Sequence, residues 1–525
     1  MQSSVLKLSV CAAILAAATP STAQTPPFSG VYAVVGARIE VGDGRVIEKG
    51  TVVVRNGVIV AVGADVKAPA DAEVIKGDGL TVYPGFIDGY SSKGVTVPDG
   101  QPAQDTPPDT GTEAPPFMRE ANRKGIRPEV KAADLLTITD DFAKPARSAG
   151  FVTEMISPSG GTINGLGALV NLNGLPRRDS VVLPTTTMDF SFGTSGSGYP
   201  GSPMGIIALT RQTLYDARRF RTLKSQFASG GAVRPPDDPV LLALQSVITG
   251  EVPALYAANS EREIRRASAM ADEFRLNLWI NGGLEAYKAA DLLKKKQIPV
   301  IVSLNFGQDP GAPPAPAPAP PAAGGPPTIA PPAGAPAGAP TPGAPAGQRP
   351  AGGRRNRGAG GAPPAAPGVP AVPAAPGAAP AAAAEPDPTP KEVLDERHKK
   401  WEEKTANAAK LYAAGVPMVF STQGVRNPAE FLTNLRKAIA AGLPRAAALK
   451  ALTIDAARLF KVDKHLGTIE KGKTASLVVM TGDFVDAKTT VQAVIIDRVK
   501  FEPAKDSGPL IQMPARRRPG GDDEN

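Results

Sequence analysis

The chain has 525 residues and a formal net charge of +8, and its 56 Pro and 55 Gly fill about a fifth of it, against about 12% in average usage. One Cys (Cys11) and two His (His398 and His465) exclude disulfide frameworks, Cys/His zinc sites, Cys nucleophiles and multi-histidine metal centres on ligand supply alone. At 42% hydrophobic and 21% charged, the chain reads as globular, neither membrane-spanning nor wholly disordered.

Residues 1–23 carry Lys7, an apolar run over 8–18 and small residues at Ser21 and Ala23. That order reads as a signal peptide cut after Ala23, because the run is far shorter than the roughly 20 residues a bilayer crossing needs. The expected address is periplasmic or secreted. Val10 before Cys11 argues against a lipoprotein, since a small residue is wanted there.

Residues 30–82 form a first β block, with Asn56-Gly57 between two β-branched runs as a hairpin signal. A matching block at 466–505 holds runs at 475–480 and 491–496, so the two ends predict one composite β-sandwich. Between them, apolar runs alternate with amphipathic stretches, the βα pattern of a parallel sheet or barrel. Strands are predicted at 85–88, 151–156, 168–172, 253–257, 276–281, 299–304 and 417–421. Helices are predicted at 209–227, 260–274, 284–296, 391–414 and 428–441. Ser260 with Glu263 forms a capping box, and Asn427-Pro428 with Glu430 supplies cap, first-turn proline and acid. The fold class is thus α/β: a (β/α)8 TIM-like barrel over 83–306 and 391–465, plus the sandwich.

Three segments break this rhythm. Residues 96–116 read as a surface loop. Residues 307–390 are a Pro/Ala/Gly-rich insertion that cannot bury enough apolar area to order itself, and 506–525 is a disordered tail. The basic clusters Arg354-Arg355-Asn356-Arg357 and Arg516-Arg517-Arg518 lack interleaved aromatics, so solubilising tails are expected and no nucleic acid. The loop from Ser157 to Gly165 could cradle an anion but has no P-loop lysine; shaping a pocket is its default role. Gly193-Thr194-Ser195-Gly196-Ser197-Gly198 lacks the spacing of a nucleophile elbow.

Two stretches resemble a known family. Val35-Gly36-Ala37-Arg38-Ile39 through Gly57-Val58-Ile59-Val60-Ala61-Val62-Gly63 to Tyr83-Pro84-Gly85-Phe86-Ile87-Asp88 is similar to the opening of the amidohydrolase superfamily, in its imidazolonepropionase-like branch. Residues 448–458, followed by Gly467-Thr468-Ile469-Glu470-Lys471-Gly472, resemble the passage from barrel back to sandwich. The resemblance implies one or two divalent metals such as zinc at the barrel mouth, a metal-bound hydroxide and hydrolysis of a C–N bond. It implies a His-x-His after the first strand, where Tyr90-Ser91-Ser92 stands. It implies further His where Ala257 and Gly282 stand, and an Asp at or beside Gln423. None of these replaces imidazole or carboxylate as a tight zinc ligand. The sequence therefore predicts a divergent member with no metal cofactor and a pocket at Tyr90, Ser92, Ala257, Gly282 and Gln423.

Candidate catalytic residues are Glu154 and Asp88. Glu154 is an acid within the apolar run Phe151-Val152-Thr153-Glu154-Met155-Ile156. It reads as a general base, a ligand of an oxygen-only site, or half of an internal salt bridge. Asp88 is a base or a backbone hydrogen-bond acceptor. His398 and His465 read as surface or structural. Three functions stay open: a catalytically reduced binding or partner subunit, an active C–N hydrolase with a non-histidine site, or a surface-interaction protein using the Pro/Ala/Gly arm. Expected partners are a small-molecule ligand or a related amidohydrolase subunit, with a homo-oligomer also possible.

Overall fold

The structure, a computed structural model, describes residues 30–97, 125–193, 200–310 and 390–503. The leader, most of the 96–116 loop, residues 194–199, residues 311–389 of the Pro/Ala/Gly tract and the tail lie outside the described residues. One compact unit takes in the chain up to Pro310 and again from Glu396. The second unit, Gly311–Asp395, is described only as the start of the helix Lys391–Thr405.

The N-terminal block forms β1 (Val31–Glu40), β2 (Val46–Arg55), β3 (Val58–Gly63), β4 (Glu73–Lys76) and β5 (Thr81–Pro84). Next come β6 (Phe86–Ser91), β7 (Phe151–Ile156), β8 (Ile163–Leu166), β9 (Ala168–Asn171), β10 (Val181–Leu183) and β11 (Met188–Ser191). They are followed by β12 (Ala254–Ala258), β13 (Leu278–Gly282), β14 (Val300–Ser303) and β15 (Met418–Ser421). The chain ends in β16 (Ser476–Met480), β17 (Val491–Ile496) and β18 (Val499–Phe501).

The two ends share one sheet, ordered β18-β17-β16-β5-β1-β2-β3, with β4 beside β1. The join is β5 against β16, antiparallel from Leu477 opposite Pro84 to Met480 opposite Thr81. The β2–β3 turn has Asn56 at φ 51° and Gly57 at φ 81°, the left-handed pair that a two-residue hairpin requires. Ile39, Val54, Ile59, Val82, Leu477 and Ile495 close its apolar face.

Arg445 ties this sheet to the helix Arg445–Leu452. Its guanidinium donates to Glu40 on β1 at 3.0 Å and to Asp483 at 2.7 Å, and lies over the Phe484 ring. The Glu40 side chain is only 4% exposed, and its other cation is Arg38, at 3.2 Å. Arg445→Ala is expected to cost about 2 kcal/mol, because it strips one partner from a buried carboxylate. Urea unfolding checks this; a change within 0.5 kcal/mol, as at an ordinary surface position, would contradict it.

The middle of the chain forms two further sheets, β10-β9-β7-β6 and β15-β14-β13-β12-β11-β8. β11 to β15 pair in parallel, as β6 and β7 do, and helices carry the crossovers. The expectation of parallel strands throughout needs one correction. β9 runs antiparallel to β7, and β8 antiparallel to β11. Only Ser157–Gly167 separates β7 from its partner β9, short of the dozen or more residues a parallel crossover needs. The segment 157–165 is thus not only a loop, since β8 begins inside it.

Helix boundaries also move. The predicted 209–227 helix begins at Pro203, capped by the Ser202 side chain. The predicted 391–414 helix is two, Lys391–Thr405 and Asn407–Ala414. The predicted 284–296 helix starts as a 3₁₀ turn, Ala286–Ala289, before Ala290–Lys296. The Ser260–Glu263 capping box and the Asn427 cap form as expected.

Ile87, Met155, Leu169, Leu255, Trp279, Ile301 and Val419, from seven different strands, pack into one cluster with Ala457 and Phe460. β6 and β15, end strands of the two sheets, are linked where Asp88 accepts hydrogen bonds from Thr422.

Candidate functional site

Three carboxyls lie buried on β6, β7 and β11: Asp88, Glu154 and Asp189, each at most 4% exposed. Asp88 and Glu154 are register partners, which puts their side chains on one face of the β6–β7 pair. Asp88 Oδ1 accepts from the Tyr90 N–H at 3.1 Å and the Thr422 N–H at 3.0 Å, and Oδ2 accepts from the Thr422 hydroxyl. Burial pushes the Asp88 carboxyl up, and those donors and Lys93 pull it back. Burial also pushes Glu154 up, and the neighbouring Asp88 charge pushes it further; Lys93 and Ser91 oppose. Two such neighbours cannot both ionise cheaply, so the pair keeps a proton at neutral pH. Glu154 Oε2 is buried without a hydrogen-bond partner among the described residues.

Asp189 carries no motif that singles it out in the sequence. Its strand is marked by Thr187-Met188-Asp189-Phe190-Ser191-Phe192, where apolar residues alternate, but an Asp is unusual in a strand. Burial pushes it up to about 7 against the hydroxyls of Ser157, Tyr90 and Thr187. Thr187 donates at 3.2 Å, whereas Ser157 Oγ faces the carboxyl without a hydrogen bond of good geometry. Burial and Asp189 together hold the Tyr90 phenol well above its ordinary range. Tyr256 stacks on Phe190 at 4.9 Å, and its hydroxyl, Asn281 Oδ1 and Ser421 Oγ lack partners among the described residues.

The structure thus brings Asp88, Glu154 and Tyr90 into the interior and adds Asp189. Ser92 lies exposed just beyond β6, and Ala257 is half-buried on β12, in register with Asn281. Gly282 ends β13 with φ 96°; a Cβ there would sit 2.3 Å from Asn259 Oδ1. Gln423 is half-buried past β15, and its carbonyl accepts from the Ser303 hydroxyl at 2.7 Å. Surface clefts of about 430 to 730 Å³ are lined by none of these residues. His398 contacts Asp309 at 2.7 Å and Glu402 at 3.3 Å and stacks on Trp401, while His465 is exposed.

The amidohydrolase family model matches residues 384–505, the stretch from the helix Lys391–Thr405 into the terminal sheet. Over those residues, under a quarter of its length, the chain is similar to the amidohydrolase family. An amidohydrolase from Thermotoga maritima MSB8 is similar in structure over 90% of this chain and 100% of its own, at TM-score 0.63 and 21% identity. That likeness shows an α/β fold. A putative prolidase from Bifidobacterium longum matches over 90% of this chain and 95% of its own, at TM-score 0.44 and 15% identity. A comparison with curated proteins finds no match.

The metal that amidohydrolases often use does not fit the residues present. No three His, Cys, Asp or Glu side chains are grouped to hold an ion among the described residues. Both Asp88 oxygens are engaged by Thr422. At Gly282 any side chain meets Asn259.

Proposed function

We propose that this protein belongs to the amidohydrolase superfamily, is exported, lacks a resident metal, and acts as a binding or partner subunit rather than as a metallohydrolase. On this reading, the two interior sheets are one (β/α)8-type barrel wall interrupted by the antiparallel β8–β9 run, and the terminal sheet belongs to a composite β-sandwich. The Asp88–Thr422 link and the seven-strand cluster support that closure. The leader at 1–23 supports export, and no helix among the described residues is long and apolar enough to cross a membrane.

The observation that carries the functional reading is the donor set. The positions where the resemblance implies ligands hold Tyr90, Ser92, Ala257, Gly282 and Gln423, and both oxygens of the nearby Asp88 are engaged by Thr422. Elemental analysis of the purified chain is expected to find less than about a tenth of an equivalent of any transition metal. An amide, lactam and dipeptide panel is expected to show no turnover. A stoichiometric metal would overturn the reading.

A second reading has one observation in its favour. Glu154, protonated and with one unpartnered oxygen, is equipped as a general acid. Turnover abolished by Glu154→Gln, without loss of fold, would move hydrolysis ahead of binding.

A further inference from the structure

A cleft of about 650 Å³ opens where β14 and β15 begin, floored by Val416, Met418 and Leu459. Tyr412, at the end of the helix Asn407–Ala414, forms one wall. Ala446 and Lys450, one helical turn apart on Arg445–Leu452, face it together. Asp455 and Arg458 line it from the helix Ile454–Leu459. It lies at the opposite end of β15 from the Asp88–Thr422 contact, and four residues of strand span about 13 Å.

We propose that this cleft binds an amphipathic monocarboxylate, its head on Lys450 and its chain over Val416, Met418 and Leu459. Size and lining suit a small ligand, for which clefts of about 300–1,000 Å³ are usual, with an apolar floor and few polar groups. The charges set the sign. Arg458 and Asp455 face each other at 3.4 Å, while Lys450 has no ion-pair partner among the described residues. Two cations against one carboxylate leave a single positive charge, which suits a monoanion better than a phosphate dianion. Tyr412, 49% exposed, offers an aromatic edge over which an alkyl chain can lie. The arginine cleft formed by Arg218, Arg221 and Arg275 is a different kind of site, polar and without such a floor.

This inference does not depend on whether the interior carboxyls perform any chemistry. The test is calorimetric titration of the purified chain with octanoate, and with octyltrimethylammonium as the cationic control. Octanoate is expected to bind with one-to-one stoichiometry, and the ammonium not to saturate. Lys450→Gln is expected to weaken octanoate about tenfold, the loss of one charge-assisted contact. Ala446→Trp, at an exposed position, is expected to fill the cleft and abolish binding. Arg221→Ala is expected to change nothing, and thermal melts confirm that each variant is folded. No saturable octanoate binding, affinity unmoved by Lys450→Gln, or affinity lost through Arg221→Ala would each overturn the assignment.

Discussion

Gly282→His is expected to destabilise the protein by about 3 kcal/mol and to leave it without stoichiometric zinc. The position is one where the family resemblance places a histidine. Here its φ of 96° is rarely open to a residue with a Cβ, which costs about 1–3 kcal/mol. The Cβ would stand 2.3 Å from Asn259 Oδ1, so Asn259 must also move, and the imidazole must find room at a buried strand end. Overpacking of this sort costs about 1–3 kcal/mol more. Gly282→Ala separates the two contributions, because it keeps the backbone strain and omits the ring. Urea unfolding with elemental analysis is the measurement. A histidine variant as stable as the parent that also gains zinc would show that the strand end is a dormant ligand position.

This residue also marks where the sequence could be read and where it could not. The strands expected at 151–156, 417–421 and 253–257 were legible to within a residue, because short apolar runs between turn residues leave few alternatives. The Asn56-Gly57 hairpin and the Ser260 capping box were legible because both are local chemistry. Tyr90, Ser92 and Gly282 stand where the family resemblance implies histidines, and they differ in kind from imidazole. Asp189 was not, since its strand follows a proline and a threonine run, and burial of a lone acid is a tertiary fact. Nor was the antiparallel β8–β9 run. The direction of β9 follows from the short link from β7, Ser157–Gly167, which also holds β8. The pairing of Asp88 with Glu154 likewise depends on the β6–β7 register, which no local pattern encodes.

That pairing carries the second large effect, a stability that falls as pH rises. Asp88, Glu154 and Asp189 all have carboxyls raised by burial, so between pH 5 and 8 the folded chain binds more protons than the unfolded one. The slope of stability with pH is then negative. The contribution is whole below the unfolded value of about 4 and is lost as pH climbs through the folded values. The exposed His398 is also raised, by Asp309 first, and contributes with the same sign in part of this window. The parent alone therefore cannot isolate the interior pair, and the decisive quantity is the difference between parent and Glu154→Gln. An amide at position 154 no longer has to hold a proton and no longer faces Asp88 as a second acid. Glu154→Gln is expected to be about 2 kcal/mol more stable than the parent at pH 8, with the gap closing towards pH 5. Carboxyls lowered by surface arginines, such as Asp43 and Glu273, titrate below this window and do not blur it. Urea unfolding at pH 5, 6.5 and 8 measures the gap. Equal stability of the two chains at pH 8 would mean that Glu154 is already ionised in the fold, balanced by Lys93, and that the interior holds a charge rather than a proton.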